Sequence, residues 1–119
     1  MPRPVSLREF KNALWRIPRP RGKQLQFLAA HAAAKGRALN MHSIARSAKY
    51  KNYRAGNLQY GLLAERIGKE LGRRHEGLGL LMEFVAPRGR SGDHISNDEW
   101  ILIMRPNFAN ALRRVGWIK

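Results

Sequence analysis

Apolar residues recur along this chain at two spacings, and the change of spacing divides it. Leu7, Phe10, Leu14 and Ile17 step by three or four, the period of a helix with one buried face. Ser6 and Glu9 just ahead form a capping-box pattern, in which each side chain reaches the other's backbone. The spacing predicts a first helix of about ten residues, stopped by Pro18 and Pro20. Gln24 to Lys35 reads as an alanine-rich second helix, with Leu25, Leu28 and Ala32 on one face and Gly36 as its stop. Asn40 suits the cap of a short third helix, Met41 to Ala48, that buries Ile44 and Ala45 or Ala48. After a polar break at Lys49-Tyr50-Lys51-Asn52, a fourth helix runs from Tyr53 to Leu71, and Gly72 ends it.

The fourth helix carries the most information. Tyr53, Gly56, Tyr60, Leu63, Ile67 and Leu71 define its core-facing stripe. Arg54, Asn57, Leu58 and Gly61 fall on the opposite side of its first turns, with Gln59 on a flank. Glycine costs roughly 1 kcal/mol against alanine inside a helix. Gly56, Gly61 and Gly68 are therefore expected to mark places where another backbone comes close.

Beyond residue 77 the period drops to two. Leu80, Met82 and Phe84 alternate with Leu81, Glu83 and Val85, and Ile101 and Ile103 with Trp100, Leu102 and Met104. Two strands are predicted, joined by a turn-rich hairpin loop over residues 87–99. Asn107 is expected to cap a last helix with Phe108, Ala111, Leu112 and Val115 inward, before Gly116 and a core-packed Trp117. The fold class is thus α+β and mostly helical: four helices, a two-stranded hairpin and a C-terminal helix. With 119 residues the chain is expected to form a single domain. Residues 1–5 read as a flexible basic arm, and residues 18–23 as a stiff basic linker.

Charge turns this outline toward a partner. The chain holds 23 Lys and Arg against 8 Asp and Glu, for a net charge of +15. Glu9 is the only acid in the first 64 residues, facing thirteen bases there. Charges placed for solubility would be mixed in sign. A one-sided field attracts polyanions, and nucleic acid is the natural one. The absence of cysteine excludes thiol chemistry, and no apolar run nears the roughly 18 residues that span a bilayer. A cytoplasmic protein is expected, without cofactor or metal. His31, His42, His75 and His94 are scattered. A magnesium site in Asp93-His94 and Asp98-Glu99 would draw all its ligands from one loop, which suits catalysis poorly. An enzyme is not expected. A membrane-surface role needs a broad apolar helix face, and the first helix needs its apolar residues for the core.

Short helix, tight break, long helix and hairpin is an order that resembles a winged helix-turn-helix, with Asn40, Ile44 and Ala45 resembling the first half of the motif. The turn's usual glycine is replaced here by the region Tyr50 to Asn52. The resemblance implies that the second helix of the pair enters the major groove. Arg54, Asn57 and Gln59 are then the base-reading candidates and Leu58 a contact for a thymine methyl. Arg46, Lys49, Lys51, Arg19, Arg21 and Lys23 would hold phosphates. Arg88 and Arg90 at the hairpin tip would reach the backbone or the minor groove. Asn57 and Gln59 equally suit solvated helix positions, and Tyr50, Tyr53 and Tyr60 suit either base stacking or the core. Trp15, Trp100 and Trp117 read as core anchors.

Residues 40–117 also resemble a small module associated with predicted HNH-type restriction nucleases. The resemblance rests on Asn57-Leu58-Gln59-Tyr60-Gly61, Ile103-Met104-Arg105-Pro106 and Ala111-Leu112 with Gly116-Trp117. It implies a DNA-reading accessory domain, with modified bases as one object of that reading and any cleavage left to a partner. The expectation is a non-catalytic duplex-DNA-binding protein, acting alone, as a homodimer or with a partner protein. The alternatives are an RNA-binding or ribosome-associated protein, and a mobile-element inhibitor or adaptor docking on a nucleoprotein complex.

Overall fold

Ser6 starts the first helix as its sequence predicts. In the computed structural model, which describes residues 3–90 and 94–119, its Oγ accepts from the Glu9 amide at 3.1 Å. The Glu9 carboxylate accepts from the Ser6 amide, also at 3.1 Å. This helix, α1 (Leu7–Arg16), buries Phe10, Ala13 and Leu14. It is followed by α2 (Lys23–Ala33), α3 (Met41–Ser47), α4 (Tyr53–Leu71) and α5 (Pro106–Arg114). The second helix stops two residues before Lys35, and Lys35–Arg37 forms a 3-10 turn. A second 3-10 segment, Arg74–Leu80, leads from α4 to the hairpin. The chain is α+β and mostly helical. Among the described residues no helix is long and apolar enough to cross a membrane.

Three short strands complete it: β1 (Ala38–Leu39), β2 (Met82–Val85) and β3 (Ile101–Met104). They form an antiparallel sheet in the order β1-β3-β2, with Ala38 opposite Ile103 and Met82 opposite Met104. β1 was not foreseen, because two residues carry no alternation to detect. Its effect is large, since it ties the return strand of the hairpin to the segment that leads into α3.

The core is continuous across all five helices and the sheet. Phe10 meets Phe108 with ring centres 5.2 Å apart, and Phe27 meets Tyr60 at 4.5 Å. His31 is fully buried among them. Its Nε2 lies 2.8 Å from the Leu102 carbonyl, which can only accept, so Nε2 carries the proton. Nδ1 then accepts from the Tyr60 hydroxyl at 2.8 Å. One imidazole thereby joins α2, α4 and β3, and no buried side-chain polar atom among the described residues is left unpaired.

Five expectations are corrected. Trp15 is not a core anchor: it is 66% exposed, whereas Trp117 is buried and Trp100 is half-buried against Phe84. Asn107 does not cap α5. Arg105 precedes the helix, Pro106 takes its first turn, where a missing N–H costs nothing, and Asn107 Nδ2 donates to the Val5 carbonyl at 3.0 Å. The alternation from Leu80 to Val85 also fails. Leu80, Leu81 and Met82 are all buried while Phe84 and Val85 are exposed, because the chain is in a 3-10 turn through Leu80 and then runs along the sheet edge. Among the described residues Gly61 meets no other backbone, whereas Gly56 and Gly68 do. Within the stretch read as an arm, Arg3 pairs with Glu9 and Val5 is buried.

Candidate nucleic-acid interface

The helix pair α3–α4 is built by its polar ends and one close contact. Asn40 Oδ1 accepts from the Ser43 amide at 2.9 Å, and Asn52 Oδ1 from the Ala55 amide at 3.0 Å. Each helix therefore begins at a defined residue. Between them Gly56 of α4 lies against Ala45 of α3, so close that a side chain on Gly56 has no room. The turn lacks a glycine but not a left-handed residue. Lys49 takes φ +60, its amide donates to Arg46, and the Tyr50 amide donates to Ala45, both at 3.0 Å. This is the closing motif that glycine usually supplies. It holds the Lys49 side chain out in solvent.

Docking α4 in this way turns one face outward. Arg54, Asn57, Leu58 and Gly61 lie at i, i+3, i+4 and i+7, adjacent on a helix surface. Arg54, Asn57 and Leu58 are all exposed. Nothing stands within 4 Å of where a Gly61 side chain would begin. Gln59 is not with them: it faces α2, where its Oε1 accepts from Gln24 Nε2 at 3.2 Å. Tyr60 is buried in the core and cannot stack on a base. Tyr53 is half-buried, its ring 5.0 Å from that of His42 and 5.8 Å from the Arg54 guanidinium.

Cations surround the turn. Arg46, Lys49 and Lys51 are exposed, and Arg46 and Lys51 line a polar cleft of about 140 Å³ with His42, Tyr50, Asn52 and Tyr53. Lys23 joins this group from α2. Its Nζ donates to the Lys49 carbonyl at 3.3 Å and sits 4.8 Å from the centre of the Tyr50 ring. Burial raises the Tyr50 phenol above its usual range, so the ring remains neutral. Arg21 is exposed, while Arg19 lines a different cleft beside Trp117 and Lys119.

The hairpin loop is anchored to this assembly. His42 Nε2 on α3 lies 2.7 Å from Asp98 Oδ2, and Ser96 Oγ donates to Asp98 Oδ1 at 2.5 Å. The Ser96 hydroxyl and then His42 hold the Asp98 carboxyl below its ordinary range. Arg88 is exposed near the tip. Arg90 is engaged within the loop, donating to Glu99 at 2.7 Å and to the His94 carbonyl at 2.6 Å. Asp93, one member of the weighed magnesium cluster, lies outside the described residues. Among the described residues no three His, Asp or Glu side chains gather to hold a metal. The roles of His42, Gln24 and Asp98 had no trace in the sequence, since partners 35 and 56 positions apart leave no periodic mark.

No family model matches this chain, and no curated protein or solved structure resembles it closely enough to count as a match.

Proposed function

We propose that this chain is a non-catalytic duplex-DNA-binding protein of winged helix-turn-helix type, in which α4 enters the major groove. The observation that carries the reading is the Gly56–Ala45 contact, which seats α4 on α3 and leaves Arg54, Asn57 and Leu58 outward around a bare Gly61. A helix is about 10–12 Å across, and the major groove is about 12 Å wide. Gly61 leaves open space on that face, which would let the helix lie close to the groove floor. Arg54 has the paired donors that fit guanine, and Asn57 the donor and acceptor that fit adenine. Leu58 would meet a thymine methyl. Arg46, Lys49, Lys51, Lys23 and Arg21 would hold phosphates, which orient the protein without reading sequence.

The hairpin from β2 to β3 serves as the wing in this reading. β1 and the His42–Asp98 contact tie the base of the hairpin to α3, and Arg88 lies in the loop three residues beyond the end of β2. Gln59 and Arg90 have partners within the chain, and base or phosphate contact by either requires exchanging them. Arg19 is set apart from the turn and is a peripheral phosphate contact at most. A cytoplasmic location beside the chromosome follows from the same reading.

Selection from a random duplex pool, with a parallel RNA pool, tests the proposal. A preferred duplex site should emerge. Arg54→Ala or Asn57→Ala should weaken that site by about 1–3 kcal/mol while leaving random duplex binding nearly unchanged. Lys51→Ala should weaken both alike and reduce the salt slope by about one. Equal loss on preferred and random sites would remove Arg54 and Asn57 as base readers. Tighter binding of structured RNA than of duplex would replace DNA with RNA as the partner.

A further inference from the structure

Trp15 is the most exposed of the large apolar side chains among the described residues. The apolar face of α1 is already used: Phe10, Ala13, Leu14 and Ile17 are buried in the core. Trp15 projects from the opposite side, where Arg8, Lys11, Asn12 and Trp15 fall at i, i+3, i+4 and i+7 and form one surface row. Arg8, Asn12 and Trp15 are exposed and Lys11 is half-buried. The helix has one acid, Glu9, and that carboxylate is already bound. It takes two hydrogen bonds from Arg3, at 2.6 and 2.7 Å, and one from the Ser6 amide. Those bonds hold the Glu9 carboxyl down to about 2, so it stays a committed anion, turned to its own helix start.

An indole in water, in one row with cations that form no ion pair among the described residues, is a particular combination. A bilayer would need several apolar side chains on this face, and among the described residues of this row Trp15 is the only one. A second copy of the chain would set Arg8 and Lys11 against like charges. An unpaired nucleotide satisfies both features at once: its base offers a π-face to the indole, and its phosphates offer anions to the neighbouring cations. Bases inside a duplex are already stacked and give no such face.

We infer that the outward row of α1 binds single-stranded nucleic acid, with an unpaired base stacked on Trp15 and adjacent phosphates held by Arg8 and Lys11. The site uses residues of α1 and none of the outward α4 residues, and its existence does not depend on how α4 is used. Stacking and phosphate contact read no sugar, so DNA and RNA strands should bind about equally.

Fluorescence anisotropy with labelled dT and rU 12-mers tests this on the full chain, alongside a labelled random duplex. Trp15→Ala should weaken both single strands by about fivefold to a hundredfold and change duplex binding less than about twofold. Trp15→Phe, which keeps a ring, should retain most of the single-strand affinity. Since Trp15 lies outside the core, these variants should fold as the parent does. Wild-type affinity for single strands in Trp15→Ala overturns the proposal, as does equal loss on duplex. A preference above about tenfold for either sugar also overturns it, and so does binding of Trp15 to anionic vesicles in place of oligonucleotides. Arg54→Ala separates the two faces: its failure to affect a preferred duplex site would count against the α4 reading alone.

Discussion

A side chain added at Gly56 would place its Cβ 2.7 Å from the Cβ of Ala45 and 3.1 Å from its Cα, whereas one added at Gly61 would meet nothing. Two glycines five residues apart on one helix thus have opposite reasons to exist. Gly56 is required by the body of the protein. Gly61 is an expense the fold does not need.

Gly56→Ala should therefore destabilise by about 1–3 kcal/mol, since α3 and α4 must separate to admit a methyl group. Gly61→Ala should do the reverse and stabilise by roughly 0.5–1 kcal/mol, as alanine does at an open helix position. If Gly61 faces the groove floor, the more stable variant will also bind duplex DNA more weakly. Urea melts and duplex titrations on both variants check this. A Gly61→Ala protein that gains stability and binds DNA unchanged would show that the bare spot is not at the interface.

Lys49 offers a second case where stability and binding part. A non-glycine residue at φ +60 carries a cost of about 1–2 kcal/mol, and Lys49 bears it at the α3–α4 turn. Lys49→Gly should raise the melting temperature by about 4 °C. It should also reduce the salt slope of duplex binding by about one, through loss of a phosphate contact. Both effects can be read from one protein preparation.

The buried imidazole makes stability depend on pH. Burial holds His31 below the ordinary value of 6.5, so the folded protein keeps it neutral where the unfolded chain takes up a proton. Its contribution is complete above about 6.5 and is lost as pH falls from there toward the folded value. Denaturation between about pH 8 and about pH 5 should show stability declining below 6.5, with a flatter profile in His31→Gln. Glu9, Glu76, Asp98 and Glu99 are held low by partners and affect stability only at more acidic pH, as they are protonated through their depressed values.

Tyr60→Phe isolates the other half of that network. It leaves His31 Nδ1 without a donor in a dry core, and an unsatisfied buried acceptor costs about 1–3 kcal/mol. The buried phenol has its ionisation pushed up by desolvation, so it does not titrate near neutral pH. Comparable stability of Tyr60→Phe and the parent, measured by urea melt, would mean that another group or a water satisfies the imidazole.

Apart from that of α5, the helix starts and most of the core stripes are readable in order along the chain. Ser6, Asn40 and Asn52 act on amides three residues away, so their effect is local and leaves a local signature. Ala45 and Gly56 were also legible as small residues where helices touch. Gly61 reads like Gly56 in the sequence because glycine in a helix announces a reason and not its kind. Trp15 reads as a core residue for the same sort of cause. Size and aromaticity favour burial, but its place in the row with Arg8, Lys11 and Asn12 already put it on the outer side.

What the residue order could settle were properties carried within a few positions: periods, caps, stops and the excess of cations before residue 65. Pairings across the molecule were beyond it. β1 opposite β3, His31 between Tyr60 and Leu102, and His42 against Asp98 join positions 29 to 71 residues apart. Such contacts are chosen by how the buried faces fill one shared volume. That choice is cooperative, and no single window of sequence contains it.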